Sequence, residues 1–163
     1  AGIMIDTNNF LTKTGVRTFE AAAFLRRCGA DVTRVRKMFR EHVEDYRAKG
    51  EAIRNAELFR EHFAISVCPS EGLDSPTVVG AQAANELLNI IGVKASFVLT
   101  DYRNTIYISA RSIDEINVQI VMERLGGGGH LNIAGAQLEH YSITEAKDVL
   151  KQTLQKMLDE GDI

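Results

Sequence analysis

The run Gly126-Gly127-Gly128-Gly129-His130, set between a helical pattern and a strand pattern, constrains this chain more than any other feature. Glycine costs roughly 0.5–1 kcal/mol relative to alanine in regular structure, so ordinary packing has little use for four in succession. They do permit close approach. Backbone N–H groups without side chains can surround a phosphate, and His130 can add a hydrogen bond or, when protonated, a charge. A flexible loop with a surface histidine fits the same residues. With no Walker lysine and no Rossmann spacing, the pattern alone does not choose between the two.

The flanking segments place this run inside an α/β unit. Phe63–Cys68 reads as a short strand ended by Pro69. Ser75-Pro76 marks a helix start with Ser75 as cap, and Val79, Ala83, Leu87, Leu88 and Ile91 keep one apolar face until Gly92. Ala95–Leu99 and Thr105–Ala110 read as strands joined through the polar residues 101–104, an antiparallel hairpin. A helix over about Asn117–Leu125 leads into the glycines, and Ala134–Leu138 reads as a strand. Ser142 and Glu145 have capping-box spacing before a terminal helix through Met157. The order β-α-β-β-α-β-α predicts an α/β fold, a mixed β-sheet flanked by helices.

Upstream of Phe63 the pattern is helical. Ala1–Ile5 reads as a buried apolar strand or helix end entered in mid-element, as in a cut chain. Thr18–Cys28 reads as an amphipathic helix capped by Thr18 and ended by Gly29. From Asp31 to about Arg60 a charge-rich connecting helix is expected, broken near Gly50. Its basic run Arg34, Arg36, Lys37 and Arg40 is followed at once by Glu41, Glu44 and Asp45, which favours pairing along the helix over a phosphate patch. The chain thus divides into residues 1–60 and 61–163.

Charge narrows the function. Nineteen basic and twenty-two acidic residues give a formal charge of −3, so there is no global field for a polyanion and any phosphate must be held locally. Extended nucleic acid is not an expected partner. Cys28 and Cys68 have no His or Cys at metal spacing and read as reduced packing thiols. No apolar run approaches the roughly 20 residues that span a bilayer.

Two further residues are candidates. Arg111 follows the strand Thr105–Ala110, where a guanidinium can make a bidentate phosphate contact, although an arginine there is also ordinary surface. Asp6 follows the apolar Ala1–Ile5 segment and, if that is a strand, lies at its C-terminal edge, where open α/β sheets place ligands and metals. One carboxylate cannot hold a catalytic metal, and His42, His62 and His140 lie in contexts that suit surface or packing roles.

Two strings together resemble a known family. Residues 1–10 (AGIMIDTNNF) with 14–22 (TGVRTFEAA), and the GGGGHLNIAGAQL segment, closely resemble the C-terminal part of the GdpP-type cyclic-di-AMP phosphodiesterases. There a DHH catalytic domain is followed by a DHH-associated, substrate-binding domain. The resemblance implies that residues 1–60 are a helical remnant of the DHH domain with its connecting helix, and that residues 61–163 are the associated domain. It implies a Mn²⁺-dependent hydrolase that opens cyclic-di-AMP to a linear dinucleotide. Asp6 would be one metal carboxylate, and Arg111, Gly126, Gly127, Gly128, Gly129 and His130 would bind substrate. The upstream metal motifs are not among these residues, so no complete catalytic set is expected here and the piece alone should hydrolyse little. The ligand would be a cyclic or short linear dinucleotide. Relatives often form homodimers and act in signalling, and a parent of this type would be membrane-anchored with this piece soluble on the cytoplasmic side.

Two rival readings remain open. One is a nanoRNase-like phosphodiesterase acting on short RNA; the other is an RNA-binding module without catalysis. The Asp6 segment weighs against the second, which would also show a basic surface and a steep salt dependence.

Overall fold

Segments of apolar period two and period 3.6 become strands and helices in the computed structural model, which describes residues 1–113 and 116–163. The chain forms two compact units, Ala1–Glu41 and His42–Ile163.

The first unit holds α1 (Gly2–Asp6), α2 (Val16–Arg27) and α3 (Val32–Lys37). Ala1–Ile5 is not the buried strand offered as one reading. It is a short helix with no buried residue, and Asp6 is its exposed last residue rather than one at a strand edge. Local hydrogen bonds decide this: the Thr7 hydroxyl donates to Ile3 O (2.6 Å) and accepts from the Phe10 N–H (2.9 Å), closing the helical turn. The cap of α2 is Gly15, whose N–H donates to Thr18 Oγ1 (3.3 Å), so Thr18 acts from inside the first turn. Gly29, at φ +94°, follows the helix end as its sequence position predicts. Phe10 and Phe19 stack with ring centroids 5.4 Å apart.

The expected long connecting helix is two helices. Asp31 caps α3 by accepting from the Thr33 N–H (2.9 Å), and a second helix, α4 (Val43–Arg54), opens the second unit. Gly50 lies inside α4 and breaks nothing. Burial of Ala48 and Ala52 on the neighbouring core outweighs the roughly 1 kcal/mol cost of a glycine in a helix. This compact unit begins at His42, so α4 belongs with the sheet although the sequence grouped it with residues 1–60.

After α4 come β1 (Glu57–Phe59), β2 (Phe63–Cys68), α5 (Pro76–Leu87), β3 (Ala95–Tyr102), β4 (Thr105–Ser112), α6 (Val118–Arg124), β5 (Gly128–His130), β6 (Ile133–Glu139) and α7 (Ile143–Glu160). The sheet is mixed, as expected, in the order β1-β2-β3-β4-β6-β5, with β2 and β3 parallel and the other pairs antiparallel. Both terminal strands of this order, β1 and β5, are additions to the predicted series. Arg103 and Asn104, at φ +53° and +60°, turn β3 into β4 in a two-residue hairpin.

The two faces of the sheet are covered unequally. On one face α6 and α7 bury Phe97, Ile106, Ile108, Met122, Leu150 and Leu154 in the larger core. On the other, α4 and α5 pack on β2 and β3 through small residues, among them Ala52, Ala83 and Ala84. Two buried hydroxyls fix these helices: Ser66 Oγ donates to Ala52 O (2.5 Å) and Ser96 Oγ to Ala84 O (2.6 Å). Among the described residues, the core on this second face holds none from β4, β6 or β5.

α7 starts with the capping box read from the sequence. The Ser142 N–H donates to Glu145 Oε2 (2.8 Å) and the Glu145 N–H to Ser142 Oγ (3.3 Å). The Ser142 N–H bond, with a second from the Ser142 hydroxyl to the same carboxylate oxygen (2.7 Å), holds the Glu145 carboxyl below the usual glutamate range. Ser142→Ala is expected to destabilise the protein by about 1 kcal/mol and to raise the Glu145 carboxyl only part of the way toward its ordinary range, because the main-chain N–H bond at position 142 survives, checked by denaturant unfolding and an NMR pH titration.

Candidate functional site

Alternation along β4 builds the site. Ile106, Ile108 and Ala110 point into the larger core, which turns Tyr107, Ser109 and Arg111 to the opposite face. β6 alternates likewise, so Ala134, Ala136 and Leu138 are buried while Ile133, Gly135 and Gln137 share the face of Tyr107. The register pairs Tyr107 with Gln137, Ser109 with Gly135 and Arg111 with Ile133. A groove of about 570 Å³ runs over this floor. Thr77 of α5 stands on its border, as do Gly126, Gly127 and Gly128.

The glycine run is ordered, and its members do different work. Gly126 (φ +78°) ends α6: its N–H donates to Glu123 O (3.0 Å) and the Gly127 N–H to Met122 O (2.8 Å), a Schellman closure. The amides of Gly126 and Gly127 are therefore spent on the helix and are not free for a ligand. From Gly128 the chain becomes the edge strand β5, paired with β6 through Gly128–Gly135, Gly129–Ala134 and His130–Ile133. A Cβ on Gly127 would collide with Gly135 O, and one on Gly129 (φ +150°) would lie 2.5 Å from Ala134 Cα. A Cβ on Gly128 meets nothing within 4 Å. Two glycines thus let backbone pack on backbone, and a third leaves the groove wall bare.

Arg111 lies within β4 rather than after a strand ending at Ala110. Its Nε donates to Asn85 Oδ1 (3.1 Å) and its Nη1 to Ala110 O (2.8 Å). Two of the five guanidinium N–H groups are thereby used and the fork is aimed. Partial burial lowers its pKa without threatening its charge. Arg111, Ile133 and His130 form one row across β4, β6 and β5. His130 is exposed and, like Arg111 and Gly129, stands outside the groove lining.

The remaining candidates belong to other elements. Asp6 belongs to the first unit. Among the described residues no group of three or more His, Cys, Asp or Glu side chains is placed to hold a metal ion. His42 is the cap residue of α4, and His62 Nδ1 lies 3.1 Å from Gly92 O. Cys28 is exposed, and the Cys68 thiol is pushed up to about 11 by burial, with Glu51 adding to the shift, so it is inert at neutral pH. Among the described residues no helix is long and apolar enough to cross a membrane. Tyr107, Ser109, Gln137 and Thr77 were not identified from the sequence as site residues. The period-two alternation of Thr105–Ser112, with polar residues at every odd position, is the signal that marks the first two.

Known proteins resemble this chain in sequence and in fold. The DHHA1 domain model matches residues 62–157. The chain is 42% identical over 163 residues to the cyclic-di-AMP phosphodiesterase GdpP of Bacillus subtilis, a match covering 99% of this chain and 25% of that protein. It is 42% identical over 151 residues to the cyclic-di-AMP phosphodiesterase PdeA of Listeria monocytogenes, covering 92% and 23%. The chain thus spans about a quarter of the length of these curated relatives. The crystal structure of an exopolyphosphatase-related protein from Bacteroides fragilis has the same fold, with a TM-score of 0.84 at 23% identity over 95% of this chain and 48% of that one.

Gly127→Ala and Gly129→Ala are each expected to cost about 1–3 kcal/mol and to unpair β5 from β6, whereas Gly128→Ala stays within about 0.5 kcal/mol of the parent. Thermal unfolding together with amide hydrogen exchange of residues 133–136 checks this, and equal effects at all three positions would refute the assignment.

Proposed function

The chain belongs to the DHHA1 domain family, and we propose that it is the substrate-gripping part of a phosphodiesterase that hydrolyses cyclic-di-AMP to a linear dinucleotide. The observation that carries this reading is the half-covered sheet face, where a groove with a side-chain-free wall lies beside an aimed, partly buried arginine. Partial desolvation strengthens a charge-assisted contact to a phosphate oxygen. Arg111 holds the phosphate, His130 in the same sheet row adds a hydrogen bond or a charge, and Gly126, Gly127 and Gly128 let the ligand approach the backbone closely, with Gly129 keeping β5 packed on β6. The relatives from Bacillus subtilis and Listeria monocytogenes are cyclic-di-AMP phosphodiesterases, which supports cyclic-di-AMP as the ligand.

Hydrolysis itself belongs to a metal site to which this chain brings one carboxylate, Asp6. The described residues alone do not fit a two-metal centre. Mn²⁺ bound in a complete site would supply a hydroxide for attack on phosphorus. The residues of this chain position the dinucleotide for that step, in a protein anchored to the cytoplasmic side of a membrane and acting in nucleotide signalling, as a homodimer.

Calorimetric titration with cyclic-di-AMP, its linear product and a short RNA tests this reading. Dinucleotides are expected to bind in preference to RNA, and Arg111→Ala to weaken them at least about tenfold, the scale of a hydrogen bond to a charged group. A preference for the RNA, or indifference to Arg111, would transfer the chain to a nanoRNase-like or RNA-binding role.

A further inference from the structure

Tyr107 and Gln137 are direct partners across β4 and β6, and both line the groove. The Tyr107 ring is half-buried and steadied by Tyr102, whose ring lies 6.5 Å away at 50°. Gln137 is exposed, and among the described residues its amide has no hydrogen-bond partner. The groove volume of about 570 Å³ falls in the range of small-molecule sites. Along β4 the groove face then carries an aromatic ring, a hydroxyl and a guanidinium in the order Tyr107, Ser109, Arg111. A nucleotide presents a flat base, a polar sugar and a phosphate in the same order.

We propose that Tyr107 and Gln137 are the base-reading subsite of this groove, Tyr107 offering a stacking surface and Gln137 selecting adenine over guanine. The assignment rests on the dinucleotide reading of the groove and adds to it the residues that set base preference. Stacking is indifferent to base identity, because every base has a π face. The amide is not indifferent. Its Oε1 can accept from the adenine N6 amino group while Nε2 donates to N7. Guanine turns two acceptors, O6 and N7, to the same edge, so Oε1 would face O6 with lone pair against lone pair. Rotating the amide removes that clash but leaves one donor for two acceptors.

NMR titration of the chain with cyclic-di-AMP and cyclic-di-GMP, which share one sugar–phosphate backbone, isolates the base. Cyclic-di-AMP is expected to bind at least about fivefold more tightly, the lower end of discrimination by a bidentate pair. Gln137→Leu should bring the ratio to about one while binding still depends on Arg111. Gln137→Arg, whose guanidinium can donate to both O6 and N7, should move preference toward cyclic-di-GMP. Tyr107→Leu should weaken both ligands about equally, by fivefold or more. Gln137 is exposed, so neither of its substitutions challenges folding, and an unchanged melting temperature verifies this. Arg111-dependent binding without base preference, or with a ratio unmoved by Gln137→Leu, overturns the base-reading assignment and leaves the dinucleotide reading standing. Failure of the wild-type chain to bind either dinucleotide overturns both.

Discussion

The period-two geometry of β4 is the constraint on which the rest depends. A strand cannot turn consecutive side chains to one side, so committing Ile106, Ile108 and Ala110 to the core beneath α6 and α7 forces Tyr107, Ser109 and Arg111 onto the opposite face. The antiparallel pairing with β6 extends that choice sideways, setting Gln137, Gly135 and Ile133 beside them. A slip of one residue would bury the guanidinium and expose the isoleucines. The hydrophobic core thereby fixes the register of the polar groove, and the site inherits its precision from packing on the other side of the sheet.

Whether that face becomes a site depends on how far the helices reach across it. Gly80 lets α5 approach so closely that a Cβ there would meet Thr100 Oγ1, and Ser96 ties the helix to β3 through Ala84 O. Pinned over β2 and β3, α5 forms one border of the groove, with Thr77 at the edge and Asn85 holding Arg111. At the opposite border β5 brings backbone without side chains. Gly127 and Gly129 are there because packing on β6 excludes a Cβ, and Gly126 because the Schellman closure needs a left-handed residue. Gly128 has both the space and the ordinary backbone angle for a side chain and lacks one.

Much of this was legible in the residues. The hairpin of β3 and β4, the proline start of α5, the capping box of α7 and the mixed sheet all follow from local signals that tertiary packing reinforces. The glycine–histidine run with the Asp6 segment also led to the family. What escaped has physical causes. β1 is three residues of mixed character held by pairing with β2, and β5 is a strand of glycines with no side-chain period to read. The helix through Gly50 survives because its neighbours Ala48 and Ala52 are buried, which is a tertiary fact. Gly-rich loops suggest N–H donors, yet here two of those amides close a helix, so the motif was found for a reason only partly its own.

This division of labour within the glycine run alters how recognition must work. A phosphate cradle built from backbone amides would recognise charge and little else. With the Gly126 and Gly127 amides committed to α6, the proposed phosphate contact would rest mainly on Arg111, whose fork is already aimed by Asn85 and Ala110 O. The chain as a whole carries a formal charge of −3, so no diffuse positive field assists, and the proposed ligand would depend on local contacts such as that fork. A phosphate seated there would lay the remainder of the ligand along β4 and β6, over side chains the core has already oriented. A local anchor with a structured floor would favour a short ligand of defined geometry over a long polyanion.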